Sequence, residues 1–187
     1  MSWLADDRAG VATERILDAA EELFAQHGVA TIGMDAVARA AGCSRATLYR
    51  YFSNRRALLT AYAEREARRV VQKVTSEIES VTDPEERTTL AVIAYLREVR
   101  SRPPLTAWYG ADPALLLAVL RESPQIEPFT ARSVGDAAAQ DRDLAHWVLR
   151  TIVSFLTAPG TDDDQEDRLV RRFISPFLTV RQPTAAT

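Results

Sequence analysis

Five arginines, Arg39, Arg45, Arg50, Arg55 and Arg56, stand within a stretch of eighteen residues that holds no acid. Ser44, Thr47, Tyr49 and Tyr51 are interleaved with them, and each hydroxyl can both donate and accept a hydrogen bond. Such a mixture suits a polyanion. Guanidinium groups pair with phosphates, and one placed in a groove can also grip the O6/N7 edge of a guanine. Extended to Arg69, the span 39–69 adds Arg65, Arg68 and Arg69 against only Glu64 and Glu66, a net of +6. The segment 161–167, TDDDQED, nets −5. A chain whose total is only −3, from 23 basic and 26 acidic residues, can therefore carry a basic face on an acidic body. Arginine outnumbers lysine 22 to 1, so the cluster carries more weight than any single member.

The elements that must hold these residues are helical. Ile16, Leu17, Ala20, Leu23 and Phe24 repeat at three and four, which predicts a helix from about Val11 to His27 that Gly28 stops. Short helices follow from about Met34 to Ala41 and from Ser44, an N-cap residue, to about Tyr51. Asn54 caps a long helix to about Val81. Asp83-Pro84 and Asp112-Pro113 each place a cap before a first-turn proline, opening helices to about Arg100 and Arg121. Pro103-Pro104 reads as a stop, and 124–140 is interrupted by Pro128 and Gly135. Asp141 or Asp143 begins a helix closed by Pro159-Gly160. The last runs from about Asp164 to Val180, bent at Pro176. No segment alternates like a strand, and 30 alanines favour helix. The expectation is an all-α fold of about nine helices, with 1–53 as one domain and 54–187 as a second.

Composition narrows the function classes. Apolar residues make up 47% of the 187, too many for a disordered chain, and no apolar run nears the roughly 20 residues of a membrane span. The opening MSWLADDRAGVATER has acids and no apolar block, so no signal peptide is read, and a cytoplasmic protein is expected. The lone Cys43 leaves no internal disulfide or thiolate zinc site. His27 and His146 belong to no metal-ligand spacing, and no Gly-rich phosphate loop is present. No catalytic group, metal or other cofactor is implied.

Two short helices joined by Ala41-Gly42-Cys43-Ser44 form a helix-turn-helix candidate. Gly42 suits the left-handed turn position, while Met34, Val37, Ala38, Ala41 and Leu48 supply an inner face. In such a unit the second helix enters the major groove and its first residues, here Ser44, Arg45, Ala46 and Thr47, meet base edges. Arg45 can pair with guanine, the small Ala46 allows close approach, and the helix start at Ser44 favours a phosphate. Tyr49 and Tyr51 are either backbone contacts or core aromatics; Arg50 and Arg56 are either contacts or solvated surface.

The run ARAAGCSRATLYRYFSNR, 38–55, resembles the DNA-binding signature of TetR-family transcriptional regulators, within an ungapped likeness from about Ile16 to Leu59. The resemblance implies three N-terminal helices, a C-terminal helical domain that binds a small ligand, and a homodimer on a palindromic operator. It implies a recognition helix from Arg45 to Tyr51, with Thr47, Tyr49 and Tyr51 at contact positions and Arg55 where the family usually has a phosphate-binding lysine. Gly33, before Met34, stands where the family usually has a capping Ser or Thr, and Cys43 replaces the common valine, read as a small buried hydrophobe in preference to a redox sensor.

Under that resemblance, Tyr95, Trp108, Tyr109, Leu116, Leu120, Phe129, Trp147 and Thr151 are the expected walls of an apolar effector cavity; otherwise they are core. Trp108-Tyr109 are read as a helix junction, and Arg97 and Arg100 as further polar groups for the ligand. The last two helices, through Trp147, Ile152, Phe155, Phe173 and Phe177, are the expected dimer interface. The expected partners are thus an operator duplex, an apolar small-molecule effector and a second copy, with no membrane. The sequence leaves open an activator, a ligand-independent regulator, or a helical binding protein without DNA.

Overall fold

The computed structural model describes residues 3–123 and 141–178. Phe129 and the interrupted stretch 124–140 lie outside the described residues. Within them the fold is all-α, with ten α-helices, one 3-10 turn and no strand. Helix α1 is Trp3–His27, the 3-10 turn is Val29–Thr31, α2 is Met34–Ala40 and α3 is Arg45–Tyr51. Helix α4, Arg55–Glu77, leads to α5, Pro84–Arg100, then α6, Pro103–Ala111, and α7, Pro113–Glu122. Helices α8, Arg142–Thr157, α9, Asp163–Phe173, and α10, Ser175–Leu178, complete the elements of the described residues.

Caps set most of the starts. Asp83 Oδ1 accepts from Glu86 N at 2.7 Å, Asp112 from Leu115 N at 2.8 Å, and Asp141 from both Asp143 N and Leu144 N. Asp162 accepts from Gln165 N at 2.7 Å, while Gln165 Oε1 accepts from Thr161 N, so the acidic run opens α9 as a cap. One expectation fails here. Pro103-Pro104 does end α5, but it also begins α6, because proline at the first helical positions lacks only an N–H that has no partner anyway. Trp108 and Tyr109 therefore lie in the last turn of α6, just before Asp112, which ends α6 and caps α7. Pro176 does more than bend the last helix. The helix breaks at Ile174 and resumes as the single turn of α10, since proline cannot donate to the carbonyl four residues back.

A continuous apolar core runs the length of the molecule. Phe24 on α1 meets the Tyr62 ring of α4 edge-on at 5.2 Å, and Tyr62 stacks on Trp108 of α6 at 6.4 Å. This ladder ties α1 to α6 across α4. Beside it lies a network of ions. Arg65 Nη1 donates to Asp18 Oδ1 at 2.7 Å, and its Nη2 donates to Glu21 Oε2 at 2.7 Å and to the Leu17 carbonyl at 3.0 Å. Arg69 Nη1 bonds Glu21 and Glu66 at 2.9 and 2.8 Å, and Arg102 Nη1 reaches the other Glu66 oxygen at 3.0 Å. Arg65 and Glu66 are both buried; Arg65 Nε lies 3.7 Å from Glu66 Oε1, while Glu66 takes its hydrogen bonds from Arg69 and Arg102.

Candidate nucleic-acid interface

The turn between α2 and α3 is built from backbone geometry that its residues suit. Gly42 has φ +67°, the left-handed region, and its N–H bonds the Arg39 carbonyl at 3.1 Å. Cys43 N–H bonds the Ala38 carbonyl at 3.0 Å, completing a Schellman close of α2. Cys43 packs, half-buried, against the core where that motif wants a small apolar residue. Ser44 Oγ then accepts from Thr47 N at 3.1 Å and lies 2.9 Å from Thr47 Oγ1. Leu48, Val37 and Ala38 are buried beneath, fixing the angle between the two helices.

What remains outside is the contact surface. Ser44, Arg45, Ala46, Tyr49 and Arg50 are exposed, and Thr47 is half-exposed with its hydroxyl held by Ser44. Tyr49 is outward-facing at 42% exposure; Tyr51 is partly buried against the core, with the Arg50 guanidinium 5.4 Å above its ring. Gly33 precedes α2 in extended conformation and gives it no side-chain cap. Met34 is core, so its side chain is withdrawn from any DNA face. Arg45 Nε lies 2.8 Å from Asp35 Oδ1, an ion pair across the two helices.

Arg55 departs most from the expected role. Its Nε donates to the Ile32 carbonyl at 2.8 Å, and its Nη2 donates to the carbonyls of Val29 and, at 3.4 Å, Ala30. It closes the end of the 3-10 turn, where a phosphate-binding cation had been expected. Arg65 and Arg69 likewise leave the basic face, because carboxylates of α1 hold them.

In the C-terminal half, Tyr95 of α5, Trp108 and Tyr109 of α6, and Leu116 and Leu120 of α7 are all buried in the common apolar core. Burial pushes the Tyr95 hydroxyl up to about 12, and burial with the nearby Tyr95 pushes Tyr109 up as well. The indole N–H of Trp108 and the Tyr62 hydroxyl, both enclosed, have no hydrogen-bond partner among the described residues. Trp147 and Thr151 do not join this group. Trp147 is 42% exposed and meets Phe177 edge-on at 5.9 Å, while Thr151 Oγ1 donates to the Trp147 carbonyl of its own helix. Arg100 is also withdrawn. It grips Glu166 with bonds of 2.7 and 2.8 Å and donates to the Phe155 carbonyl at 3.0 Å, and Arg97 pairs with Glu77. Bonds from Arg100, and then from the Gly160 N–H, hold Glu166 below the usual carboxylate range despite its burial. Of the expected interface residues, Ile152 is core and Phe155 packs partly against it. Trp147, Phe173 and Phe177, at 42%, 51% and 62% exposure, stay outside.

A short helix pair with an exposed, arginine-bearing second helix, joined to a helical body with a buried aromatic cluster, defines a helix-turn-helix DNA-binding regulator with an all-α second part. Comparison with known proteins agrees. The family model described as bacterial regulatory proteins, tetR family, matches residues 16–62. An uncharacterised HTH-type transcriptional regulator of Mycobacterium tuberculosis, Rv1255c, is 40% identical over 95% of this chain and 90% of its own. The chain belongs to the TetR family of transcriptional regulators, DNA-binding proteins and not enzymes. The HTH-type transcriptional regulator AlkX of M. tuberculosis is 28% identical over 88% of this chain and 83% of its own. The solved structure of the TetR family repressor AlkX from a Dietzia strain, implicated in biodegradation of n-alkanes, superposes with a TM-score of 0.66 at 26% identity, over 89% of this chain and 94% of that one. Among the described residues, no helix is long and apolar enough to cross a membrane.

Proposed function

We propose that this regulator is a cytoplasmic repressor that binds a palindromic operator as a homodimer and is released by a small apolar effector. The observation that carries the DNA reading is the outward face of α3, where Ser44, Arg45, Ala46, Tyr49 and Arg50 project from a turn locked by Gly42 and Ser44. Two such helices enter successive major grooves about 34 Å apart. The exposed Trp147, Phe173 and Phe177 support the dimer, because three large apolar side chains left in water favour a second copy.

The likeness to a repressor implicated in n-alkane biodegradation supports both repression and a long-chain apolar effector. The effector enters among Tyr95, Trp108, Tyr109, Leu116 and Leu120. The unpartnered donors of Trp108 and Tyr62 favour an effector that carries an oxygen at one end of its apolar chain, since buried donors without acceptors cost free energy that such an oxygen would recover. Those rings stack on the ladder that ends at Phe24 of α1, so a ligand there bears directly on the position of the DNA-binding helices.

Selection of genomic fragments on the purified protein, followed by gel shift with and without long-chain alkanes, alcohols and acids, tests the proposal. A palindromic footprint lost on adding one of these classes is the expected result. Sequence-independent binding, or a monomer by sedimentation at micromolar concentration, would overturn it.

A further inference from the structure

Asp35 is the one acid between Glu22 and Glu64, and it stands on the helix-turn-helix. A negative charge on a surface that meets phosphates weakens binding to every sequence, so its position calls for a compensating role. The structure supplies one. Asp35 Oδ1 is shielded from solvent although the side chain is 49% exposed, and Arg45 Nε lies 2.8 Å from it. That oxygen has no aligned hydrogen bond among the described residues, so the contact is an ion pair rather than a directed bond. No other described group bonds the Arg45 guanidinium, whose two terminal nitrogens remain for a base.

We propose that Asp35 is a positioning residue that sets base selectivity by holding Arg45. The inference rests on the reading of α3 as the recognition helix. An untethered arginine at the start of α3, 67% exposed, samples many rotamers and pairs with a phosphate as readily as with a base. Drawn toward Asp35 by the ion pair at Nε, it keeps free the planar terminal fork that matches guanine O6 and N7, and its charge is partly spent on Asp35. Asp35 thus exchanges sequence-independent attraction for discrimination. The competing role for Asp35 is to offset a cation at the N-terminal end of α3, where the helix dipole disfavours it; that role alters stability and leaves base preference alone.

The test uses the full-length dimer and the operator found by genomic selection. Wild type, D35A, D35N and R45A are titrated against the operator, its single-base variants and a random duplex at several salt concentrations. R45A loses discrimination at one base pair of each half-site, a factor of roughly 5 to 150. D35A loses it at the same base pair, yet binds the random duplex more tightly and with a steeper salt dependence. D35N, which keeps the shape and drops the charge, falls between. If D35A instead shifts affinity for all duplexes by one factor, in either direction, with base preferences intact while R45A loses them, Asp35 does not position Arg45. If R45A also keeps its preferences, the recognition-helix reading itself fails.

Discussion

Arg45 and Arg65 lie in the same basic stretch and have opposite fates. The side chain of Arg45 is 67% exposed and meets a single carboxylate; that of Arg65 is 4% exposed and lies within 3.3 Å of Glu14, Asp18 and Glu21. The difference comes from the partner helix. Helix α3 turns Arg45 away from the core on a short element closed by Leu48, whereas α4 lays Arg65 against the acidic side of α1. A charge count along the chain adds together groups that the fold sends to different places. The excess of +6 over 39–69 is therefore not the charge of the DNA face: Arg65 and Arg69 are neutralised within the fold and Arg55 is spent on backbone carbonyls.

The strongest way to break the contrast is to remove the acid at the centre of the buried set. Glu66→Ala leaves Arg69 and Arg102 without a shared partner and is expected to cost about 3–5 kcal/mol, lowering the melting temperature by roughly 6–20 °C. Thermal unfolding measures it, and the DNA preference of the folded protein stays unchanged. A second, half-buried bridge, Arg100–Glu166, is expected to contribute about 2–3 kcal/mol, read from denaturant midpoints of Arg100→Ala. Its pH dependence has a definite sign. The Glu166 pKa is lowered on folding, so its stabilisation is complete above the ordinary value of 4.5 and is lost as pH falls through the depressed value. Stability curves of wild type and Glu166→Gln should therefore converge toward acid; a gap that persists unchanged to low pH would count against the bridge.

Much of this was legible in advance, for reasons that particular residues show. Asp83, Asp112 and Ser44 cap helices because a short acceptor side chain before a helical run has little else to bond. Gly42 reads as the turn because its φ is one that other residues rarely adopt. Helix α6 was hidden, because two prolines mark both a stop and a start and Arg102 is no cap residue. The assignment of Ile152 to an interface failed for a different reason. Periodicity shows that a helix has an apolar stripe, and only packing shows that Ile152 faces the core of its own chain while Trp147 faces water. The partners of Arg55 and Arg65 lie 23 to 51 residues away in the chain, beyond any local pattern.

Within the exposed set, Arg45→Ala is expected to lose about 1–3 kcal/mol of operator binding per half-site while changing thermal stability little. Equilibrium titration beside a melting curve separates the two. A melting loss as large as that of Glu66→Ala would place Arg45 with the structural arginines and erase the contrast.

Arg55 sharpens the boundary, because the family pattern places a phosphate contact there and the structure places a backbone clamp. The clamp joins the first turn of α4 to the carbonyls of Val29, Ala30 and Ile32, the segment that links α1 to α2. Removing a half-buried charged donor should cost about 1.5 kcal/mol, the low end for such bonds, in Arg55→Ala. A phosphate contact would make a different signature, since each neutralised phosphate adds close to one to the slope of log affinity against log salt. The expected result is a melting shift with the salt slope unaltered. Lysine has one nitrogen and cannot span Ile32 and Val29 together, so Arg55→Lys should recover only part of the stability. A flattened slope with full stability in Arg55→Ala, restored by Arg55→Lys, would return this residue to the DNA face.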